Sequence, residues 1–571
     1  MRRFRNGARR RLCLEPVRAR GARWGVAISP SLGGLGYCGR VTNEASAGPE
    51  RVRTAEVVAA LCLATDLAMG FPFEHGLHAT RIAARLGERL GIDAKTASET
   101  YFACLLSYCG CTADAEIAAE TYGGDLMAIL GPVLFGSQRE MLAGVVRSLP
   151  DPDSAAPVRA IQIARRLPRA AKGSKPHMVA VCEVGEMLAE RLGLPSSAHR
   201  LFATLTERWD GKGPLRRAER EEIPLAMRIA NVAQDAALQQ LVGGVERAAA
   251  VIRKRAGAAF DPRIAACLAD NAAEILTRDH QGSAWEETLA SEPHPRLTLE
   301  GEAVDRALAA MGAFADLVSP SFVGHSAGVA DLAESAAERC RLGVPERGAI
   351  RRAALVHDLG RVAVPARAWN RRGPLSADEW EQVRLHPYQT ERVLSRSGFL
   401  DSLAPIAGAH HERLDGSGYY RGATAAVLTP AARLLAAADA YHAMTEPRPH
   451  RAPLAPERAA EVLGEEARHG RLDADAVAAV LDAAGQAVPR IERPCELTER
   501  EAEVIGLLAR GLQTKQVARA LGISVKTADR HIQNAYAKIG VSTRAAAALF
   551  AMEHGLAAWG ELPIAQTAAR S

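Results

Sequence analysis

Histidine and aspartate side chains with the chemistry of metal ligands are concentrated in one part of the chain. Seven of the 16 His lie between positions 325 and 450. The candidate ligands in this stretch are His325, His357, Asp358, His386, His410, His411 and Asp439. Imidazole and carboxylate together suit Fe, Mn or Zn, and the two oxygens of an aspartate can bridge a pair of ions. Two neighbouring cations lower the pKa of a shared water and hold the oxygens of a phosphate ester, so these residues predict phosphoester hydrolysis.

The adjacent pair His357-Asp358 is central to this prediction. Consecutive residues of a helix point about 100° apart, so one His-Asp pair can serve two neighbouring ions. Two other interpretations stay open at this point. Each histidine, taken singly, fits a structural or capping role, and the whole set fits a degenerate domain that binds metal without turnover.

Three segments carry a family resemblance. They are VHDLGRVAVP at 356–365, LHP at 385–387 and HHERLDGSGYYRG at 410–422. In order and spacing they resemble the HD-GYP branch of the HD phosphohydrolase superfamily over residues 320–455. The resemblance implies an all-α domain, two divalent metal ions bridged by Asp358 (Fe or Mn, with Zn or Mg as alternatives), and hydrolysis of cyclic dinucleotides, chiefly cyclic di-GMP.

The same resemblance suggests which side chains contact substrate phosphate. RPHR at 448–451 is similar to the family's RPYR, which assigns Arg448 and Arg451 to this role. Arg361 occupies the position of the lysine that usually follows the His-Asp pair, and it keeps the positive charge. Guanidinium groups suit phosphate because they donate two parallel hydrogen bonds. Together with Asp358, these three arginines are the predicted catalytic and substrate-binding residues.

Three further positions depart from the family pattern. Tyr420 replaces the proline of the GYP element, and His442 stands where the family usually has aspartate. Ser321 takes the place of an acidic residue one turn before the first ligand, which argues against a third metal.

The first half of the chain repeats the second half without its ligands. ERWDGKGPLRR at 207–217 matches ERLDGSGYYRG at 412–422, and further similarity extends on both sides. The similarity suggests four pairings across the repeat: His78 with His325, Tyr108-Cys109 with His357-Asp358, Leu205-Thr206 with His410-His411, and Asp235 with Asp439. Glu74 and His78 lie one helical turn apart, which suits either a metal or, more simply, a structural pair. We expect this copy to sense a ligand, mediate dimerisation or cover the second copy.

The C-terminal segment at 496–555 has the signature of a small helical module. Thr498 followed by Glu501 is a capping box that opens a helix, and Ser524 is placed to cap a later one. The later helix has an apolar stripe at Ala528, Ile532, Ala535 and Ile539. Its opposite face is polar and is free to enter a major groove of DNA. A helical dimerisation bundle that does not bind DNA is the alternative.

This module resembles the LuxR-type helix-turn-helix in LTERE, ARGL, VARALGIS and YAKIGVSTR. By that resemblance the DNA contacts are Thr514, Lys515, Ser524, Lys526, Thr527, Arg530, His531 and Lys538. Most of these would touch phosphate and a few would touch base edges. Asp529 replaces a usual lysine on the recognition helix, and its carboxylate repels phosphate.

Charge along the chain is uneven, which limits what the net value of +5 means. Residues 1–53 hold twelve Arg and three Glu, a net of +9, so the remaining residues carry −4. The basic pI therefore belongs to the leader and is no sign of a broadly nucleic-acid-binding body. The leader lacks the apolar region of a secretory signal, and no uninterrupted apolar stretch reaches 18 residues.

These observations predict an all-α chain with two tandem HD-like helical domains and a four-helix LuxR-type helix-turn-helix. The expected parts are a disordered basic leader at 1–53, a degenerate HD-like domain at 54–288, an HD-GYP-like phosphohydrolase domain at 296–484 and the DNA-binding domain at 494–558. We expect a cytoplasmic bacterial transcription regulator that binds DNA as a homodimer. Its expected partners are double-stranded DNA and a nucleotide or cyclic dinucleotide, and we expect no membrane association.

Two functional classes remain open on the sequence. In the first, the metal domain hydrolyses a cyclic dinucleotide or another nucleotide phosphate. In the second, the metal domain is a catalytically silent sensor whose ligand-bound state only changes the affinity for DNA.

Overall fold

The computed structural model describes residues 51–112, 131–151, 154–277, 283–487, 494–554 and 556. The described part is almost wholly helical, which confirms the all-α prediction. Residues 1–50 of the predicted leader lie outside the described residues. Residues 51–53 differ from the expectation of disorder, because they form a short strand.

The described part of the first repeat is built from helices. Within the described ranges, the α-helices of this repeat are Thr54–Ala68, His75–Leu90, Ala94–Leu105, Gln138–Ser148, Ala156–Arg191, Ser196–His199, Leu225–Arg255, Pro262–Asp270, Ala272–Ile275 and Ala284–Ala290. Short 3-10 helices lie at Cys109–Thr112, Gly131–Val133, Arg200–Thr204 and Arg220–Glu222. Leu225–Arg255 changes direction at Gly243 and Gly244, where the backbone is not helical.

The second repeat has the same order of its main helices. Its α-helices are Glu302–Asp316, His325–Arg339, Val344–Val356, Ala366–Trp369, Ala377–Arg384, His386–Leu394, Ala404–Ala407, Pro430–Thr445, Pro456–Arg468 and Ala474–Ala483. Short 3-10 helices lie at Pro320–Phe322, Leu359–Ala363 and Leu400–Ser402. The helix Pro430–Thr445 begins after Thr429, whose hydroxyl accepts from the amide of Ala432 at 3.3 Å, and Pro430 occupies its first turn.

The two repeats pack against each other around one continuous apolar core. The strands Arg51–Arg53 and Thr298–Glu300, each just before the first helix of its repeat, pair antiparallel with Val52 opposite Leu299. The first repeat also contacts the helix His386–Leu394 and the turn that follows it. There the Phe73 ring lies 3.9 Å from the guanidinium carbon of Arg392, and Glu74 pairs with Arg396 at 3.2 Å.

The C-terminal module has an apolar core of its own. Its α-helices are Glu499–Ala509, Thr514–Ala520, Val525–Ile539 and Arg544–Glu553, preceded by a 3-10 turn at Pro494–Glu496. The capping box predicted at the first helix is present, with the amide of Glu501 donating to the Thr498 hydroxyl and the amide of Thr498 donating to the Glu501 carboxylate. Among the helices in the described ranges, none combines the length and the apolar character that a bilayer crossing requires.

Candidate metal centre and DNA-binding module

The predicted ligands of the second repeat come from separate elements and meet at one place. His325 and His386 are the first residues of their helices, and His357-Asp358 lies between the helix Val344–Val356 and the following 3-10 turn. The remaining ligands are His410 and His411, in the turn after Ala404–Ala407, and Asp439, within Pro430–Thr445. Six of the seven are buried, and the side chain of His411 is 19% exposed.

Three of the imidazoles are oriented in the same way by the backbone. The Nδ1 atoms of His357, His386 and His410 each lie 2.6 Å from a carbonyl oxygen three residues earlier in the chain. A carbonyl oxygen can only accept, so in each ring Nδ1 carries the proton and donates. The lone pair of the neutral ring is then on Nε2, which is the atom that points into the site.

These lone pairs converge on the carboxylate of Asp358. Its Oδ1 is 3.2 Å from Nε2 of His386 and 3.3 Å from Nε2 of His410, while its Oδ2 is 2.9 Å from Nε2 of His357. The Nε2 atoms of His386 and His410 are also only 3.1 Å apart. Acceptors that face acceptors in a buried site repel each other, so this arrangement needs positive charge between them, either metal ions or protons on the imidazoles.

The orphaned polar atoms of the site support the same conclusion. Nε2 of His357, both carboxylate oxygens of Asp358 and Oδ1 of Asp439 are buried without a hydrogen bond, although Asp358 Oδ2 forms an ion pair with Arg361 at 2.6 Å. Imidazole nitrogens that share one ion at about 2.1 Å stand roughly 3.0–3.4 Å apart, which matches the spacing of His386 and His410. The residues therefore fit divalent metal ions.

The ligand atoms divide into two groups, which we name for their depth. The outer group is His386, His410 and His411, and the inner group is His325, His357, Asp358 and Asp439. Asp358 lies between the two groups, because Oδ1 faces the outer one and Oδ2 faces the inner one. Its position agrees with the predicted bridging role.

In the metal-free protein, the pKa values of the imidazoles are shifted in opposite directions in the two groups. Burial lowers the pKa of His386 to about 4 and holds that of His411 well below its usual range. Burial and the Arg361 guanidinium also lower the pKa of His325, but Asp358, Asp439 and Glu446 outweigh them and raise it to about 10. Neighbouring carboxylates likewise overcome burial at His357 and raise its pKa to about 9.

Two of the predicted phosphate-binding arginines border the inner group. Arg361 Nη2 is 2.6 Å from Asp358 Oδ2, and its Nε and Nη1 are buried without a hydrogen bond. Arg448 Nη2 lies 3.5 Å from Nδ1 of His325. The ring of Phe322 positions both, since the two guanidinium carbons lie 4.3 and 4.5 Å from its centre.

The third predicted arginine is engaged elsewhere. The guanidinium of Arg451 donates to the carbonyl oxygens of Ala443, Met444 and Glu446, at the C-terminal end of the helix Pro430–Thr445. These contacts satisfy carbonyls that the end of a helix leaves unpaired. The geometry therefore gives Arg451 a helix-capping role, and Arg361 and Arg448 are the better candidates for phosphate.

Several residues of the site escaped the sequence prediction. The most important is Glu446, whose Oε2 lies 2.8 Å from Nδ1 of His325. Glu412 shapes the loop after the His-His pair by accepting from the amides of Arg421 and Ala423, both at 2.8 Å. Glu391 accepts hydrogen bonds from the side chains of Tyr420 and Arg421. The spacing of His442 and Glu446, one helical turn, was the only signal in the sequence that pointed to Glu446.

The structure corrects three of the four pairings between the repeats. Asp66 accepts from the amide of Gly76 at 3.0 Å just as Asp316 accepts from that of Ser326 at 3.1 Å, so the counterpart of His325 is His75. The predicted pairing with His78 is wrong. Sequence similarity over a short helical stretch does not distinguish alignments that differ by a few residues. The shared hydrogen bond identifies the equivalent residues directly.

A second shared contact corrects the counterpart of the His-Asp pair. A Cβ atom on Gly110 would lie 2.0 Å from the carbonyl of Val181, and one on Gly360 would lie 2.0 Å from that of His386. The two glycines are therefore equivalent. Ser107-Tyr108, and not Tyr108-Cys109, stands opposite His357-Asp358, and Val181 stands opposite His386.

The counterpart of Asp439 is also displaced by one residue. Arg228 binds Asp261 at 2.7 Å and Arg433 binds Asp473 at 3.0 Å, and both aspartates cap a helix. This equivalence places Gln234, and not Asp235, opposite Asp439. Asp235 instead forms a buried ion pair in which its Oδ1 accepts from Arg255 at 2.7 Å.

Aromatic packing replaces metal ligation in the first repeat. The ring of Phe71 lies 4.5 Å from that of His75 and 5.3 Å from that of Tyr108. Glu74 and His78 do not share a ligand position, because Glu74 pairs with Arg396 and His78 Nε2 contacts Gln240 at 2.8 Å. The structure thus favours the structural interpretation of that pair.

The DNA-binding module exposes most of its predicted contact residues. Lys515, Lys526 and Arg530 are exposed, and Ser524 caps the helix Val525–Ile539. Thr514, Thr527 and His531 are half-buried on the same module. Lys538 is exposed as well, but its ammonium donates to the Glu501 carboxylate at 2.7 Å, which ties it to the first helix of the module.

Family comparisons agree with these two sites. Residues 310–476 match the HD domain model, and residues 496–551 match the model of bacterial regulatory proteins of the luxR family. The chain therefore joins an HD domain to a LuxR-type regulatory domain.

Among known proteins, the chain is similar to the 3'3'-cGAMP-specific phosphodiesterase 3 of Vibrio cholerae, with 27% identity over 75% of this chain and 93% of that protein. A cyclic di-GMP phosphodiesterase of Thermotoga maritima is 39% identical over 18% of this chain and 28% of its own length. The crystal structure of a cyclic GMP-AMP specific phosphodiesterase of V. cholerae shares the fold, with a TM-score of 0.53 and 23% identity over 77% of this chain and 99% of that one.

Proposed function

We propose that this chain is a transcription regulator whose HD domain hydrolyses a 3'3'-linked cyclic dinucleotide with the help of two divalent metal ions. The observation that carries the proposal is the convergence of imidazole lone pairs on the buried carboxylate of Asp358. Similarity to cyclic dinucleotide phosphodiesterases along most of one relative supports the substrate class.

The protein's own residues divide the work of this reaction. When bound, such ions lower the pKa of a water and offset the charge of a phosphodiester. Arg361 and Arg448 bind the non-bridging phosphate oxygens, which stabilises the charge that develops on them. The inner group is buried, so these charges interact more strongly there than they would in bulk water. Addition of one water to one phosphodiester bond gives the linear dinucleotide.

The direct test is turnover by the purified full chain. Protein loaded with Mn²⁺ or Fe²⁺ is incubated with 3'3'-cGAMP, cyclic di-GMP and cyclic di-AMP, and linear products are measured by mass spectrometry. We expect hydrolysis of at least one of the three, and its loss in Asp358→Asn. Asp305→Asn, which removes only an ion pair with Arg352 at 2.6 Å, is the matched control. Absence of product with every metal and nucleotide refutes the enzymatic proposal.

One observation favours the alternative, a silent sensor. The guanidinium of Arg361 lies among the inner ligands, 2.6 Å from Asp358 and 3.3 Å from Nε2 of His325, where it competes with a metal ion. If the domain is a sensor, the nucleotide should change the affinity of the protein for DNA without being hydrolysed. A gel-shift assay, with a check that the nucleotide stays intact, measures this.

The LuxR-type domain supports the second half of the proposal. Its exposed Lys526 and Arg530 project from the helix that such modules place in the major groove. We propose that the protein binds double-stranded DNA as a homodimer in the bacterial cytoplasm, since regulators of this class act where the DNA is. Sedimentation of the free protein and of its DNA complex tests the stoichiometry, and one protomer per site contradicts the dimer.

A further inference from the structure

His325 differs from the other buried ligands in what holds its ring. The Nδ1 atoms of His357, His386 and His410 donate to backbone carbonyls of their own segments. Nδ1 of His325 instead faces a side chain from the far end of another helix, Oε2 of Glu446 at 2.8 Å. His386 follows closely on the helix Ala377–Arg384, which supplies its carbonyl, whereas the residue before His325 is Gly324, whose φ of 86° is not helical.

We propose that Glu446 is a positioning residue that holds His325 with its Nε2 lone pair aimed at the inner metal ion. A carboxylate that accepts from Nδ1–H fixes the tautomer and the orientation of the ring, and it increases the basicity of the ligating nitrogen. Nε2 of His325 indeed points at the inner carboxylates, 3.3 Å from Asp358 Oδ2 and 3.2 Å from Asp439 Oδ1.

The surroundings of Glu446 hold its carboxylate in place. Arg448 donates to Oε2 at 2.8 Å, and Nδ1 of His442 lies 3.3 Å from Oε1. Gly328 makes room for this group, because a Cβ atom there would lie 2.1 Å from Nε2 of His442. His442 occupies a position where the HD-GYP pattern has aspartate, so Glu446 supplies a carboxylate one helical turn later in the chain.

A third metal ion is the competing explanation of the same cluster. His325, His442 and Glu446 are close enough together to share an ion. The guanidinium of Arg448 already lies between these residues, however. Its Nη2 is 2.8 Å from Glu446 Oε2 and 3.5 Å from His325 Nδ1. Nδ1 of His325 also cannot donate to Glu446 and bind an ion at once. The geometry therefore favours positioning over ligation.

The inference rests on the metal centre of the proposed function but does not require turnover, so it is tested by metal binding alone. Metal-free full-length protein is titrated with Mn²⁺, and free Mn²⁺ is followed by electron paramagnetic resonance. We expect two equivalents in the wild type. Glu446→Ala should weaken one of them by about 10–100-fold and leave the other unchanged. His325→Ala should remove the same equivalent.

Glu446→Gln keeps the shape of the side chain and an accepting oxygen but loses the charge. We expect its effect on the same equivalent to be intermediate, which a merely structural role would not produce. Glu461→Ala, on the helix Pro456–Arg468, is the matched control and should not change either affinity. Circular dichroism of the near-isosteric Gln variant establishes that folding is intact.

Three results would overturn the proposal. They are unchanged Mn²⁺ affinity in both Glu446 variants, equal weakening of both equivalents, and a third wild-type equivalent that Glu446→Ala abolishes. A wild type that binds no metal at all refutes the metal centre itself, and with it the proposed function. Metal binding without hydrolysis leaves the role of Glu446 intact and refutes only the enzymatic proposal.

Discussion

Metal loading of the two ligand groups should depend on pH in different ways. In the metal-free protein the pKa values of His325 and His357 are raised to about 10 and about 9, so both rings are protonated at neutral pH. A metal ion in the inner group must displace both protons, because only the neutral ring is a ligand. In the outer group, the pKa of His386 is lowered to about 4, so this ring needs no deprotonation.

The size of the effect follows from these values. At a pH of about 7.5, the solution is roughly 2.5 and 1.5 pH units below the two raised pKa values, and each unit corresponds to about 1.36 kcal/mol. Displacing both protons therefore costs on the order of 5 kcal/mol, which lowers the affinity of the inner group by about four powers of ten. The affinity of the inner group for a metal ion therefore rises with pH. It rises by about 100-fold for each pH unit until the pH approaches the lower of the two pKa values.

Chelator-competition titrations with Mn²⁺ at three pH values between 6.5 and 8.5 measure this difference. His386→Ala leaves only the inner group and should show the steep slope, whereas His325→Ala leaves the outer group and should show a nearly flat one. Calorimetry in buffers of different ionisation enthalpy should report about two protons released on filling the inner group. Equal slopes in the two variants, or release of no protons, would refute this reasoning.

Three further predictions concern other parts of the molecule. The double variant Lys526→Ala and Arg530→Ala should weaken DNA binding and reduce the salt dependence of the association constant by about two phosphate contacts, measured by fluorescence anisotropy at several salt concentrations. Phe73→Leu should lower the free energy of unfolding by about 1 kcal/mol through loss of the cation–π contact with Arg392, as measured by denaturant titration; an unchanged value would argue against a contribution of that contact. Arg451→Ala should lower the melting temperature while leaving KM for the dinucleotide unchanged, because its donors cap a helix; a raised KM at unchanged stability would restore its assignment to phosphate.

How far the sequence predicts the site is clearest at the ligands themselves. The metal-ligand candidates were recognisable because a His-Asp pair and a His-His pair can each be seen within a few residues. The all-α fold was implied by the family resemblance, and the capping box of Thr498 and Glu501 located the first helix of the DNA-binding module. Such signals are local, so they survive in a single sequence.

The errors of the sequence-based view have a common physical cause. Helical repeats rich in alanine and leucine look alike when shifted by one or three residues, so similarity placed His78 and Asp235 where the packing places His75 and Gln234. Arg451 resembled a phosphate ligand in its motif, but the end of a helix claims its donors. The true pairings and the role of Arg451 depend on which carbonyl, carboxylate or glycine each residue contacts in the folded protein.

The sequence by itself determined the kinds of chemistry available to this protein: imidazoles and carboxylates in a recognisable order, a repeat that lacks them, and a helix-turn-helix pattern at the C-terminal end. Only the tertiary structure decided how they are used. It brought four imidazoles to the two faces of Asp358 and joined Glu446 to His325 across 121 residues of chain. Local carbonyls orient His357, His386 and His410, but the orientation of His325 and the meeting of the buried ligands arise from contacts between distant segments, which no local spacing encodes.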